Sequence, residues 1–256
     1  MLKGTCVKCN RDYYGWALEQ EQEHQCGCGG TLKISRIVSC RPSVVEDHPK
    51  KEVEKMKPRC KIFWLDVETT GLEPDKNDIT ELAAMVEDNE KIIKYLTLHL
   101  KPTSTKIRYI SKVALDLQGI DFEELKSPDR LSQAEGFDAL IRTLDSYVDK
   151  YDKRDKMILA GYFVGFDMSF LREMFKSNGN NYYGSYFIPP MIDVSCTVAE
   201  WVSRNGMLEN YKLATICKNL GITLSDAHDA MNDIFATREC YYRLLTARFK
   251  EEQGGE

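Results

Sequence analysis

Phe63-Trp64-Leu65-Asp66-Val67-Glu68-Thr69-Thr70-Gly71-Leu72 is an apolar run that ends in two acids one residue apart. Side chains alternate across a strand, so Asp66 and Glu68 share one face while Leu65 and Val67 share the other. Two carboxylates held side by side repel each other, and a divalent cation relieves the repulsion. Mg²⁺ is typically held by one or two carboxylates together with water and phosphate oxygens. The stretch therefore predicts a metal site built at the end of a strand. An ordinary strand whose polar face meets water has the same pattern, so the pair needs companions before it decides anything.

Two distant stretches supply them. Asp167 lies in Gly161-Tyr162-Phe163-Val164-Gly165-Phe166-Asp167, near the start of a helix predicted over residues 166–176. His228 and Asp233 lie in His228-Asp229-Ala230-Met231-Asn232-Asp233, which opens the last predicted helix, residues 229–250. That helix is expected to bury Ile234, Tyr241, Leu244, Leu245 and Phe249. Four carboxylates converging from separate parts of a chain carry a charge that no dry pocket tolerates without cations. His228 and Asp233 are five residues apart, about 140° around a helix, so His228 is expected on the approach to the helix, after Ser225-Asp226. Asp229 suits the positive helix end, a structural role.

Read together, these three stretches resemble the DEDDh 3′→5′ exonucleases, the superfamily that includes proofreading subunits of DNA polymerases, ribonuclease T and oligoribonuclease. Asp66 and Glu68 match the first motif, Asp167 the second, and His228 with Asp233 the third. The likeness runs over roughly residues 60–249 and includes 111–120 and 211–222. It implies a ribonuclease H-like fold and hydrolysis of phosphodiester bonds at the 3′ ends of single-stranded DNA or RNA, releasing nucleoside 5′-monophosphates. It also implies two Mg²⁺ or Mn²⁺ ions, with Asp66, Glu68 and Asp233 as direct ligands and Asp167 holding the second ion partly through water. His228 would take the proton of the attacking water, a task that suits a side chain mostly neutral at physiological pH. Thr69, Thr70 and Leu72 match positions that meet the terminal nucleotide. A polymerase or another replication or repair protein is the kind of partner implied. One departure stands out: Phe163 occupies the position four residues before Asp167 where the second motif usually has Asn. Two other readings stay open, an RNA-trimming or oligoribonuclease-type enzyme and a catalytically idle binding adaptor, and the motifs do not separate DNA from RNA.

The chain has 256 residues, 43% of them hydrophobic, and a formal net charge of −5. It has enough apolar residues for a core, but no apolar run approaches the ~20 residues that cross a bilayer. No membrane association is expected, and a start without an apolar signal region points to an intracellular, cytoplasmic location. The negative charge argues against gripping duplex nucleic acid by bulk electrostatics. The best local basic stretch is Lys101, Lys106, Arg108 and Lys112, with a solvated loop rim as the alternative.

Nine cysteines in a reducing compartment read as metal ligands or buried thiols. Cys6-x2-Cys9 and Cys26-x-Cys28 form two close pairs flanking a strand-like stretch and read as a small zinc ribbon holding one structural Zn²⁺, with the second pair departing from the usual two-residue spacer. His24 is the alternative fourth ligand. Cys40, Cys60, Cys196, Cys217 and Cys240 are expected to be buried apolar residues. The organisation expected is a zinc-ribbon-like module over 1–40, a proline-punctuated linker over 41–59 and an exonuclease domain over 60–256.

Within that domain, residues 79–86 and 91–100 read as a hairpin. Residues 131–151 read as a long amphipathic helix burying Phe137, Leu140, Ile141, Leu144, Val148 and Tyr151. A strand over 157–160 and another over 191–194 flank a loop, 177–190, whose Tyr182, Tyr183 and Tyr186 either stack on bases or pin the loop to the core. Helices over 196–203 and 211–220 complete an α/β pattern: a mixed sheet flanked by helices.

Overall fold

A computed structural model of the chain describes residues 2–9, 12–14, 31–36, 61–224 and 229–253. Its contacts divide the chain into two units, Met1–Met56 and Lys57–Glu256. In the first, β1 (Leu2–Cys6) is flanked by β2 (Asp12–Tyr14) and β3 (Leu32–Arg36), both antiparallel to it. The Val7 amide donates to the Thr31 carbonyl at 3.1 Å, and the Lys8 amide lies 3.4 Å from the Cys6 sulfur. His24, Cys26, Cys28, Cys40, residues 41–59 and Cys60 lie outside the described residues, as does His228.

The second unit contains β4 (Lys61–Thr69), β5 (Ile79–Asp88), β6 (Lys91–His99), α1 (Lys112–Gln118), α2 (Gln133–Tyr147), β7 (Met157–Gly161), α3 (Gly165–Ser177), β8 (Phe187–Asp193), α4 (Val194–Asn205), α5 (Leu213–Leu220) and α6 (Ala230–Gln253). The sheet order is β6-β5-β4-β7-β8, with β5 antiparallel to both neighbours and β7 parallel to both of its own. Strand β4 is central because its apolar residues alternate between two buried faces. Phe63, Leu65 and Val67 pack under α2 and α3, against Phe137, Leu140, Phe170 and Leu171. Ile62 and Trp64 pack on the other side with α4, α5 and α6, against Val198, Ile216 and Ile234. Trp64 meets the Tyr241 ring edge-on at 5.6 Å. The expected mixed sheet flanked by helices is what forms.

Several local expectations need correction. The helix read over 131–151 is shorter at both ends: Ser132 and Glu135 make a capping box ahead of Gln133, and the last helical residue is Tyr147. Beyond it Asp149, Asp152 and Asp155 accept backbone amides from Tyr151, Arg154 and Asp149, turns that compete with helix continuation. Tyr151 is accordingly 86% exposed instead of in the core. Strand β8 begins at Phe187, within the predicted loop, and carries Pro189 and Pro190. As an edge strand it tolerates missing amides, and its pairing to β7 skips from Ile188 to Ile192. Tyr186 is buried, with its hydroxyl donating to Asp145, and Tyr183 packs on Phe175 and Phe187, so both pin this segment, while Tyr182 is exposed. Cys217 and Cys240 are buried and touch at 3.7 Å between α5 and α6, but Cys196 is exposed. Ile234 and Leu244 are buried as expected, whereas Tyr241 and Leu245 are only half-buried, and the side chain of Phe249 lies outside the described residues. Lys106 is not a free member of a basic patch: it donates to the Pro74 and Asn77 carbonyls and pairs with Asp78 at 3.3 Å.

Candidate active site

The face of β4 that carries Ile62 and Trp64 continues, by the two-residue period of the strand, to Asp66 and Glu68, which keep partial solvent access. Helix α6 covers the apolar end of this face and begins near its acidic end. Asp229 caps the helix by accepting the Asn232 amide at 2.9 Å, the structural role expected of it, and Asp233 sits in the first turn.

Asp167 arrives from the opposite layer. It lies in the first turn of α3, is only 4% exposed, and accepts the backbone amide of Val67 at 3.0 Å. The residue that donates stands between Asp66 and Glu68, so the second acid motif is tied to the backbone of the first. Close approach of β7 to β4 makes this docking possible: a Cβ on Gly161 would lie 2.7 Å from the Leu65 carbonyl oxygen.

These carboxylates feel one another. Burial raises the Asp66 carboxyl well above the usual range, and Asp167, Glu68, Asp233 and Glu81 push it further. Burial takes Glu68 up to about 7, helped by Glu81, Asp233 and Asp167. Asp167 is also raised by burial to about 7, against the opposing hydrogen bond from Val67. Protons or cations must therefore accompany the cluster. The donor set is all carboxylate oxygen, which suits Mg²⁺ and Mn²⁺ and suits softer metals poorly. Among the described residues no three such side chains close into a ready-made cage.

Glu81 was missed by the reading of the sequence. It faces Glu68 directly across the β4–β5 ladder, with the His99 imidazole 3.8 Å from its carboxylate. Burial raises its own carboxyl, against the opposing pull of His99 and Arg130. A lone acid in the mostly apolar stretch 79–86 was the available signal, and it becomes meaningful only once the register of the hairpin is known.

Next to the acids lies a cleft of about 530 Å³ lined by Glu68, Thr69, Leu72, Tyr109, Val113, Leu117 and Phe166 among others. Leu72 projects into solvent, 81% exposed, and the Thr69 hydroxyl is turned back onto the Gly71 carbonyl at 2.6 Å. Thr70 does not line the cleft: it is enclosed, and its hydroxyl accepts the Asp78 amide at 3.0 Å. This turn is held by two amides that sequence reading also passed over. Asn77 donates to the Tyr109 carbonyl at 2.9 Å, and Gln118 donates to the Thr69 carbonyl at 2.7 Å. A side chain at Gly71 would strike Asn77 at 2.6 Å, which accounts for the glycine.

Phe163, at the unusual position of the second motif, has φ of 54°. Its amide donates to the Asp193 carboxylate at 3.1 Å, and Asp193 also caps α4 through the Ser195 amide.

With this geometry in place, comparison with known proteins gives a consistent answer. Curated relatives include the PolC-type DNA polymerase III of Halalkalibacterium halodurans, 29% identical over 180 residues, and that of Thermotoga maritima, 25% identical over 183. The matches take in 70% and 71% of this chain but only 11% and 12% of those polymerases, so the chain spans about a tenth of their length. Among solved structures, the zinc-bound complex of Escherichia coli ExoI with single-stranded DNA superposes with a TM-score of 0.60 at 24% identity, covering 74% of this chain and 41% of that one. Exonuclease I from the same organism in complex with a dA16 oligonucleotide gives 0.60 at 23%, with the same coverage. These two share the fold. The family described as Exonuclease (RNase_T) matches residues 63–241, well over half of the chain. Because that match takes in β4, α3 and the first turns of α6, the elements that bring the four acids together, the chain belongs to the Exonuclease family.

Proposed function

We propose that the protein is a metal-dependent 3′→5′ exonuclease of the DEDDh type, acting on single-stranded nucleic acid ends and releasing nucleoside 5′-monophosphates. The observation that carries this reading is the bond from the Val67 amide to Asp167, which brings two acid motifs separated by 100 residues into one cluster with Asp233. Asp66, Glu68, Asp167 and Asp233 would hold two Mg²⁺ or Mn²⁺ ions. Ions bound there supply Lewis acidity to the phosphoryl group and lower the pKa of a water.

The chain's own residues do the rest. The β4 pleat aims Asp66 and Glu68 to one side, the Val67 amide fixes one Asp167 oxygen, and the Asp229 cap sets where α6 delivers Asp233. His228, one residue before that cap, accepts the proton of the attacking water. Leu72 offers apolar surface to the terminal base, and Thr69 lines the same cleft, while Thr70 serves the turn. The likeness to exonuclease I bound to oligonucleotides and to PolC-type polymerases favours single-stranded 3′ ends as substrate and a replication or repair protein as partner.

The same reading takes residues 1–40 as a zinc ribbon, 41–59 as a linker and 60–256 as the exonuclease domain. The Lys8 amide at the Cys6 sulfur supports it, because amide–sulfur bonds stabilise ligating thiolates. Cys6, Cys9, Cys26 and Cys28 would hold one Zn²⁺, and elemental analysis finding none in protein purified without chelator would remove that assignment.

The deciding assay uses end-labelled single-stranded DNA and RNA of equal length, with and without Mg²⁺. Stepwise shortening from the 3′ end in Mg²⁺ alone is expected, and the preferred strand identifies the substrate. Absence of shortening of either strand overturns the reading. His228→Ala should cost roughly 10² to 10⁴ in rate while leaving the Mg²⁺ requirement unchanged.

A further inference from the structure

Three described residues other than glycine have positive φ: Asn89, Glu90 and Phe163. The first two form the two-residue hairpin between β5 and β6, where the left-handed region is what the turn requires. Phe163 serves no hairpin, and a bulky L-residue in that region is strained. Its backbone is held there from both sides, by its amide on Asp193 at 3.1 Å and by the Phe166 amide on its carbonyl at 3.0 Å.

Strain at an apolar residue is ordinarily offset by burying the ring. Here the ring is 55% exposed and touches Tyr162 edge-on at 4.9 Å. Tyr162 is anchored in turn, its hydroxyl donating to the Tyr211 carbonyl at 2.5 Å. Tyr211 and Met207 are themselves exposed and meet at 3.4 Å, and the next residue, Lys212, is exposed as well. An exposed aromatic face thus stands at the opening turn of the helix whose first turn carries Asp167.

From this we infer that Phe163 is a stacking platform for a base of the single-stranded nucleic acid whose end reaches the acids. The inference rests on the exonuclease reading above. A π-face accepts any base, so the platform positions the strand without selecting sequence. Strain persists at positions that surrounding structure over-determines, and such positions cluster where ligands are held.

The test compares wild type with Phe163→Asn and Phe163→Tyr on a 5′-labelled single-stranded oligonucleotide of about 15 nucleotides in Mg²⁺, a length that spans one single-strand site. Asparagine tolerates the left-handed region, so Phe163→Asn should melt about 2–4 °C higher while its KM rises about tenfold with kcat nearly unchanged. Phe163→Tyr keeps the π-face and should retain wild-type KM. Oligonucleotides with one abasic site stepped through the last nucleotides locate the contact. At one position the KM penalty of Phe163→Asn should vanish, because the base it would lose is already gone. An unchanged KM in Phe163→Asn, or a penalty equal at every abasic position, overturns the platform. A KM that stays with wild type for nucleic acid but a loss of binding to a protein partner would assign the face to that partner instead. If wild type itself cleaves nothing, it is the exonuclease reading that fails.

Discussion

Strand β5 carries two carboxylates on one face, Glu81 and Glu87, near its opposite ends, and the protein treats them in opposite ways. Glu87, 1% exposed, is surrounded by donors: Trp64 Nε1 at 2.9 Å, Arg238 Nε at 2.6 Å and the Tyr242 hydroxyl. Glu81 faces Glu68 and joins a cluster whose other members are acids, with His99 and Arg130 as partial counterweights. One buried negative charge is neutralised from within, which locks α6 onto the sheet. At the far end of the same face, Asp66 and Glu68 are raised by burial and by neighbouring acids, the reverse of the donor-rich surroundings of Glu87. The first arrangement is structural, and the second is what a cation-dependent catalyst requires.

The contrast is broken most severely at the acid end. Asp66→Asn and Asp167→Asn are each expected to lower cleavage on the order of 10³-fold or more, measured with single-stranded substrate in saturating Mg²⁺. Neither should lower the melting temperature of metal-free protein, since each relieves repulsion. A variant that keeps wild-type rate would detach its acid from the chemistry.

At the other end the expected damage is to folding. Glu87→Ala leaves the Arg238 guanidinium without its partner and should cost about 3 kcal/mol, the lower end for breaking a buried pair because Arg238 keeps some solvent access. Urea unfolding measures it, and kcat at low temperature should be untouched. Loss of rate without loss of stability would mean the two ends of β5 are not separable.

pH sharpens the comparison. Glu68 and Asp167 are both raised to about 7 from an ordinary range near 4. The folded state then holds these protons more tightly than the unfolded state. Stability from this source is fully present below about pH 4 and is lost as pH rises through about 7. In chelator the protein should therefore melt lower at pH 8 than at pH 5.5, and Mg²⁺ should restore more at pH 8. Asp66→Asn should flatten the trend, and a metal-free melting temperature rising over this interval would contradict the account.

The smallest effect belongs to Glu81 itself. Glu81→Gln removes one like charge from the cluster and should stabilise the metal-free protein by about 0.5–1 kcal/mol, opposite in sign to the change at Glu87. Equal signs at the two positions would mean His99 and Arg130 neutralise Glu81 as completely as Arg238 neutralises Glu87.

Local pattern explains which of these features could be read from the chain. The alternation Leu65-Asp66-Val67-Glu68 places two acids on one face without knowledge of any partner, and Phe137, Leu140 and Leu144 mark the buried side of α2. The same periodicity overshoots to Tyr151, because an apolar residue at the next helical spacing looks identical whether or not the backbone has already turned away. Pro189 and Pro190 read as loop since their tolerance depends on β8 being an edge, which is a property of strand order. Glu81 is invisible for a related reason: its proximity to Glu68 is a matter of register. The sign of φ at Phe163 has no signature in residue type, and only the oddity of the residue there marks the position.

The bond from the Val67 amide to Asp167 has a consequence for how the molecule comes into being. Its donor belongs to the main chain, so any residue but proline at position 67 preserves it, and the link is insulated from side-chain drift in a way the acids are not. It also closes a loop of 100 residues, beside the parallel pairing of β4 with β7, which joins residues almost as far apart. Contacts of such long range are slow to form, and no fragment ending before α3 can contain this one. On the ribosome, then, the first two acids emerge long before the third can reach them. The nascent chain carries half of the acid cluster until residues past 167 have folded back.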